Sequence, residues 1–283
     1  MELTSVRTIK DISARFGFVF KKGLGQNFLT DSSVLDKIVD AANIKSGALE
    51  IGPGFGTLTY ALAKTGKKVV AVEVDRRLFP VLEYTLAEFD NVTVVEKDIL
   101  KTDISQLIKE NFNGERISIA ANLPYYITTP IITRLIEARL PVSDMVFMVQ
   151  KEVAERICAD NNSKNYGAIS LFCQYYTEPE IAATVPAHCF YPQPKVDSAV
   201  LHMRILEKPR VEVSNETLLF KTIKASFGQR RKTLVNGLSG GLGIEKEKIA
   251  LLLEEQGLDR TVRGEKLSLE QFAHISEKIS ALQ

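Results

Sequence analysis

A short apolar run, Ala48-Leu49-Glu50-Ile51, leads into Gly52-Pro53-Gly54-Phe55-Gly56. Residues 57–64 follow with helical spacing at Leu58, Ala61 and Leu62, and Gly66 ends that helix. A buried strand that closes in a glycine turn and opens a helix is the first half of a βαβ unit, which restricts the chain to few architectures. The pattern then repeats. Residues 68–74 form a Val-rich strand, 77–89 a helix, 91–96 a third strand, 104–110 a short helix and 117–121 a fourth strand. Residues 130–138 give another helix with proline early in it, and 145–149 a fifth apolar strand. Such alternation predicts right-handed crossovers and a parallel sheet, an α/β fold.

The flanks complete the outline. Asp31-Ser32-Ser33 caps a helix whose apolar positions are Val34, Leu35, Ile38, Val39 and Ala42. After the fifth strand, 151–159 is helical and 160–164 a polar loop, while 168–176 fits either a helix or a strand. Residues 181–185 and 198–205 read as late strands joined by a proline-rich loop, 186–194. Near Glu207 the period becomes helical throughout, with Gly240-Gly241-Leu242-Gly243 read as a turn. The expected organisation is a Rossmann-like domain over 1–206 and a small all-α domain over 207–283.

With 283 residues the chain is long enough for one large and one small domain. No apolar run approaches a membrane span, and residues 1–22 lack the continuous apolar core of a secretory signal. A cytoplasmic protein without membrane attachment is expected, and nothing in the sequence points to an oligomer. Cys158, Cys173 and Cys189 are odd in number and widely spaced, which favours reduced thiols. No His/Cys group has metal-ligand spacing, so no metal is expected. The net charge of +1 is uninformative, but its distribution is not. Residues 1–29 carry five Lys/Arg against two acids and 207–283 thirteen against eleven, whereas 30–206 carry eighteen against twenty-two. Basic flanks, including Lys221, Lys224, Arg230, Arg231 and Lys232, suit contact with phosphates; solvated helix faces explain them equally well.

Functional candidates gather at the ends of the predicted strands. A dinucleotide site would place its third small residue where Thr57 stands. The spacing Gly52-x-Gly54-x-Gly56 is instead that of enzymes using S-adenosylmethionine. Glu73, near the end of the second strand, can accept both ribose hydroxyls of a nucleoside. Asp98, after the third, can accept from an adenine amino group. The fourth strand ends in Asn122-Leu123-Pro124-Tyr125. An exocyclic adenine amine is a weak nucleophile because its lone pair is delocalised into the ring. Accepting its two N–H groups with the Asn122 side-chain oxygen and the Leu123 carbonyl would localise that pair. Tyr125 could stack on the base and Phe190 could cover its other face. Core packing is the plain alternative for both rings.

The chain resembles the bacterial small-subunit ribosomal RNA adenine dimethyltransferases nearly end to end. The resemblance rests on Gly25-Gln26-Asn27-Phe28-Leu29, on Glu50 through Gly56 and on Asn122 through Tyr125. It extends to Gln150-Lys151-Glu152-Val153, Pro194 through Val200 and Phe227 through Leu234. It implies a class I S-adenosylmethionine-dependent methyltransferase domain with a helical C-terminal domain. The implied reaction is N6,N6-dimethylation of two adjacent adenosines in a hairpin loop near the 3′ end of 16S rRNA, in the small subunit or its precursor. Carried over by motif, Asn27 and Leu29 would hold the cofactor's methionine end. Gly52, Gly54, Glu73, Asp98 and Asn122 would complete the cofactor site, and Arg230, Arg231 and Lys232 would meet rRNA. Two relatives compete: the large-subunit adenine dimethylases of macrolide resistance, and non-catalytic RNA-binding factors on the same fold. The Lys195–Val200 stretch and the Arg230 segment favour the small-subunit enzyme. The intact glycine turn, Glu73, Asp98 and Asn122 speak against lost catalysis. A nicotinamide oxidoreductase is a more distant alternative, opposed by the glycine spacing and by Asn122 through Tyr125.

Overall fold

The computed structural model describes residues 1–20, 27–229 and 231–281. Gly25, Gln26 and Arg230 lie outside the described residues. The chain begins with α1 (Val6–Arg15), the short strand β1 (Phe28–Leu29) and α2 (Ser32–Ala42). Five alternations follow: β2 (Gly47–Ile51), α3 (Thr57–Ala63), β3 (Lys68–Glu73), α4 (Phe79–Thr85), β4 (Val92–Glu96), α5 (Ile104–Phe112), β5 (Ile117–Asn122), α6 (Thr128–Glu137), β6 (Val142–Gln150) and α7 (Lys151–Ile157). Then come α8 (Ala168–Tyr176), β7 (Thr177–Val185), β8 (Phe190–Tyr191) and β9 (Ser198–Ile205). Helices α9 (Glu216–Phe227), α10 (Leu234–Leu242), α11 (Lys246–Glu255) and α12 (Leu269–Ser280) close the chain.

The main sheet has the strand order β4-β3-β2-β5-β6-β9-β7. Strands β4 through β6 are parallel, and β9 runs antiparallel to β6. Every residue of β2 is buried, as are all of β3 but Lys68 and all of β5 but Asn122. Helices on both faces of a parallel sheet require such continuous apolar runs. The order reverses at β2, which lies between β3 and β5, and the crevice outside the strand ends there is where open α/β sheets bind ligands.

Local chemistry fixes the helices around that crevice. Asp31 caps α2 by accepting from the Ser33 N–H, and Val34, Leu35, Ile38 and Ala42 turn inward. Gly56 (φ +82°) precedes α3 in a left-handed conformation that glycine adopts without strain. The N-terminal segment, read only as charged in sequence, forms α1 behind the Ser5 cap and buries Ile9 and Ile12. Its apolar cluster takes in Phe18, Phe28, Phe55 and Leu82. Phe28 and Phe55 approach to 4.3 Å between ring centroids, and Phe18 and Phe55 to 5.1 Å. An aromatic wedge thus lies against the glycine turn.

Two compact units result. One comprises Met1–Ala154 with Pro179–Ile205, the other Glu155–Glu178 with Leu206–Gln283. The sequence boundary at 206 left 155–178 with the first domain; the structure packs that segment with the terminal helices. Within the second unit the Tyr166 hydroxyl donates to the Leu267 carbonyl at 2.9 Å, and the Tyr175 and Tyr176 hydroxyls both donate to Glu216 at 3.1 Å. Gly240, Gly241 and Leu242, expected in a turn, belong to α10; Gly243 (φ +71°) is its cap. A Cβ on Gly241 would lie 2.4 Å from the Ala225 Cβ, and one on Gly237 would lie 3.0 Å from the Ala225 carbonyl oxygen. These two glycines let α10 press against α9. Among the described residues, no helix is long and apolar enough to cross a membrane.

Candidate functional site

One cavity lies outside the carboxyl ends of β2, β3 and β5. Asn27, Leu29, Gly52, Gly54, Glu73, Asp98 and Asn122, all named from sequence, line it. So do Phe28, Glu50 and Pro124, which stand inside the sequence motifs without a role of their own there, and Val74, Tyr126 and Met148, which the sequence does not single out.

Glu73 is 5% exposed. Its Oε1 accepts from the Val74 and Asp75 N–H groups at 2.8 Å each, and its Oε2 from Gly54 N–H at 3.4 Å. Burial raises its pKa, while these three backbone donors oppose the rise. Glu73 therefore ties the glycine turn to the end of β3. Gly54 sits at φ +60°, and a Cβ there would come within 2.9 Å of the Phe28 ring. Asp98 accepts from Leu100 N–H at 3.0 Å and lies 3.6 Å from the Lys101 ammonium, with its side chain about a third exposed (36%).

Glu50 is the least solvated acid of the cavity, 1% exposed. Burial first, then the negative charge of Glu73, raises its pKa to about 8. Its Oε2 is buried without a hydrogen-bond partner. An orphaned carboxylate oxygen in a ligand cavity fits a cationic ligand group. In sequence its one signal is a carboxylate inside an apolar strand run.

Asn122 closes the cavity at the end of β5. Its Nδ2 donates to the Asn27 carbonyl at 2.9 Å. A carbonyl only accepts, so the amide nitrogen must face Asn27 and Oδ1 is the atom offered to another donor. Leu123 is buried, and its N–H donates to the Met148 carbonyl at 3.1 Å, which extends the β5–β6 ladder by one step. Tyr125 does not line the cavity. It is half-buried in the adjoining turn, with its hydroxyl 2.7 Å from Ser198 Oγ, and burial raises its pKa.

Phe190, expected to cover one face of the base, is instead in the core. It is 4% exposed and directly opposes Leu29 in the antiparallel pair of β1 and β8. Opposed residues of such a pair project to the same face, so Phe190 packs with Leu29 in an apolar cluster that includes Leu35 and Met148. In the second unit, Arg231 and Lys232 are exposed in the turn after α9.

Sheet order, glycine turn, strand-end acids and helical second unit define a Rossmann-like class I S-adenosylmethionine-dependent methyltransferase. The profile of the ribosomal RNA adenine dimethylase family matches residues 17–281, and the chain belongs to that family. It is 50% identical over 281 residues to ribosomal RNA small subunit methyltransferase A of Clostridioides difficile (strain 630), covering 98% of this chain and 97% of that protein. The protein of the same name from Bacillus mycoides (strain KBAB4) is 51% identical over 284 residues, with the same coverage. Among solved structures, a dimethyladenosine transferase from Plasmodium falciparum superposes with a TM-score of 0.76 at 25% identity, covering 90% of this chain and 98% of that one. The 23S rRNA methyltransferase ErmE shares the fold, with a TM-score of 0.70 at 24% identity over 90% of this chain and all of that one.

Proposed function

We propose that this enzyme dimethylates N6 of two adjacent adenosines in a hairpin loop near the 3′ end of 16S rRNA. It would act on the small ribosomal subunit or its precursor and take part in small-subunit biogenesis. The observation that carries the reading is the Asn122–Asn27 hydrogen bond, which aims a side-chain acceptor from the strand end where the target amine would sit.

The cavity fits S-adenosylmethionine. Asn27, Leu29, Gly52 and Gly54 would hold its methionine end, with the orphaned Glu50 oxygen available to the ammonium group. Glu73 would take the ribose hydroxyls and Asp98 the adenine amine. When bound, the cofactor supplies an electrophilic methyl group on a positively charged sulfur.

The protein's task is then to hold and sharpen the nucleophile. Asn122 Oδ1 and the Leu123 carbonyl accept the two N–H groups of the target amine, which draws its lone pair out of conjugation. Asn27 preorganises the first acceptor, and the Leu123 N–H bond to Met148 holds in the ladder the residue that carries the second. Tyr125 stacks on the flipped base. Phe190 supports this edge from within the core, behind Leu29. The helical unit carries Arg231 and Lys232, which would meet the rRNA backbone, and Arg230 is given the same task by the resemblance alone. The enzyme is read as a cytoplasmic monomer without membrane attachment; Cys158, Cys173 and Cys189 form no disulfide, in keeping with a reducing compartment.

The test is transfer of labelled methyl from S-adenosylmethionine to unmethylated small subunits and, separately, to large subunits, with nucleosides identified by mass spectrometry. Dimethyladenosine on small subunits alone is expected. Label on large subunits would identify the resistance-type activity, and RNA binding without label would identify a binding factor.

A further inference from the structure

The segment Pro194 through Val200 is prominent in the sequence, yet the reaction described above assigns it no task. Its Ser198 is the first residue of β9 and is fully buried. The Ser198 Oγ lies 2.7 Å from the hydroxyl of Tyr125, seventy-three residues earlier in the chain. We propose that Ser198 is a positioning residue for the acceptor base, acting through Tyr125. This inference rests on the reading that Tyr125 stacks on that base.

Tyr125 stands in a turn between the end of β5 and the start of α6, outside any ladder. A tyrosine so placed is held at its Cα but swings about χ1 unless something holds the other end. The Ser198 hydroxyl is that second point, and it fixes the long axis of the ring. The anchor is itself rigid. Ser198 pairs with Gln150 in the β6–β9 ladder. The preceding Asp197 accepts from Lys151 N–H through its carbonyl at 3.0 Å and from Ala187 N–H through Oδ1 at 2.9 Å. Both ends of the ring are therefore tied to the sheet that carries Asn122. Stacking and amine capture need this shared frame, because an error of about 1 Å in placing a reacting group costs on the order of 10²-fold in rate.

A hydroxyl pair that merely satisfied one buried and one half-buried polar group would stabilise the fold without touching turnover. The two roles separate in single-turnover methylation of unmethylated small subunits by the full chain, alongside cofactor affinity by calorimetry and Tm. Ser198→Ala and Tyr125→Phe each remove the bond, the second from the less buried side and without opening the core. Each is expected to slow the methyl-transfer step by about 10–100-fold while cofactor Kd stays within twofold. The double variant is expected to be no slower than either single one. Wild-type rates for Tyr125→Phe, or rate losses that follow Tm and cofactor affinity together, would overturn the proposal. Tyr125→Ala distinguishes the failures. If it too is fast, the stacking reading falls and the proposal with it. If it is slow while Tyr125→Phe is fast, stacking stands and the Ser198 role alone is rejected.

Discussion

The glycine turn at residues 52–56 and the glycines of α10 use the same residue for opposite ends. At Gly52, Gly54 and Gly56 the backbone is left-handed (φ +71°, +60° and +82°), so glycine is there for conformation and for close approach to a ligand. At Gly237 and Gly241 the backbone is helical, and glycine is there because a neighbouring helix occupies the space of a side chain. The first region gives up stability to make a cavity and keeps an orphaned Glu50 oxygen beside it. The second gives up helix propensity to gain packing. Substitutions in the two regions should therefore move function and stability in different combinations.

Gly54→Ala should have the largest effect. It combines a left-handed backbone, costing about 1–2 kcal/mol for a non-glycine residue, with a methyl pressed to 2.9 Å from Phe28, costing about 1–3 kcal/mol more. Cofactor binding should become undetectable by calorimetry, with Tm lowered as well. Cofactor affinity within twofold of wild type would show that the turn does not contact the ligand. Gly241→Ala is the counterpart. Its Cβ would overlap Ala225 at 2.4 Å, so denaturant unfolding should show a loss of about 1–3 kcal/mol while cofactor Kd is unchanged. A loss of cofactor affinity in that variant would erase the distinction between the regions.

Glu50→Gln should reverse the sign. The folded-state pKa of Glu50 lies near 8, raised from 4.5 mainly by burial. Between those values the folded protein holds a proton that the unfolded chain releases, so stability falls as pH rises through this window and the loss is complete above about 8. The amide removes that dependence. At pH 8 the variant should be the more stable of the two, because the amide stays neutral without holding a proton. Its cofactor affinity should fall by about 10–100-fold, as expected on losing a charge-assisted bond. Equal pH–stability profiles for variant and wild type would mean that Glu50 is not a burden on the fold.

The same contrast explains what could be read from sequence. Glu73, Asp98 and Asn122 were legible as cavity residues because each is a polar residue at or just past the end of an apolar run, a local pattern fixed by the sheet. For Phe190 the sequence leaves base cover and core packing both open. Its burial depends on a two-residue ladder to Phe28–Leu29, some 160 positions earlier. Ala168–Tyr176 was ambiguous because a short apolar run has no clear period, and its packing with the terminal helices settles it as helix. Gly240–Gly243 was misread because a turn glycine and a packing glycine look alike until the partner, Ala225, is known.

Gly240 tests that last point with the smallest effect and the opposite sign to its neighbour. It lies in the body of α10, and a Cβ there would meet nothing within 4 Å. It therefore bears the entropic cost of a helical glycine without gaining the close contact that justifies one at 241. Gly240→Ala should stabilise by about 0.4–1 kcal/mol in denaturant unfolding, with methyl transfer and cofactor affinity unchanged. Adjacent glycines would then respond in opposite directions to the same added methyl. A destabilised Gly240→Ala would instead place that glycine with the packing pair and indicate a neighbour pressed against the exposed face of the helix.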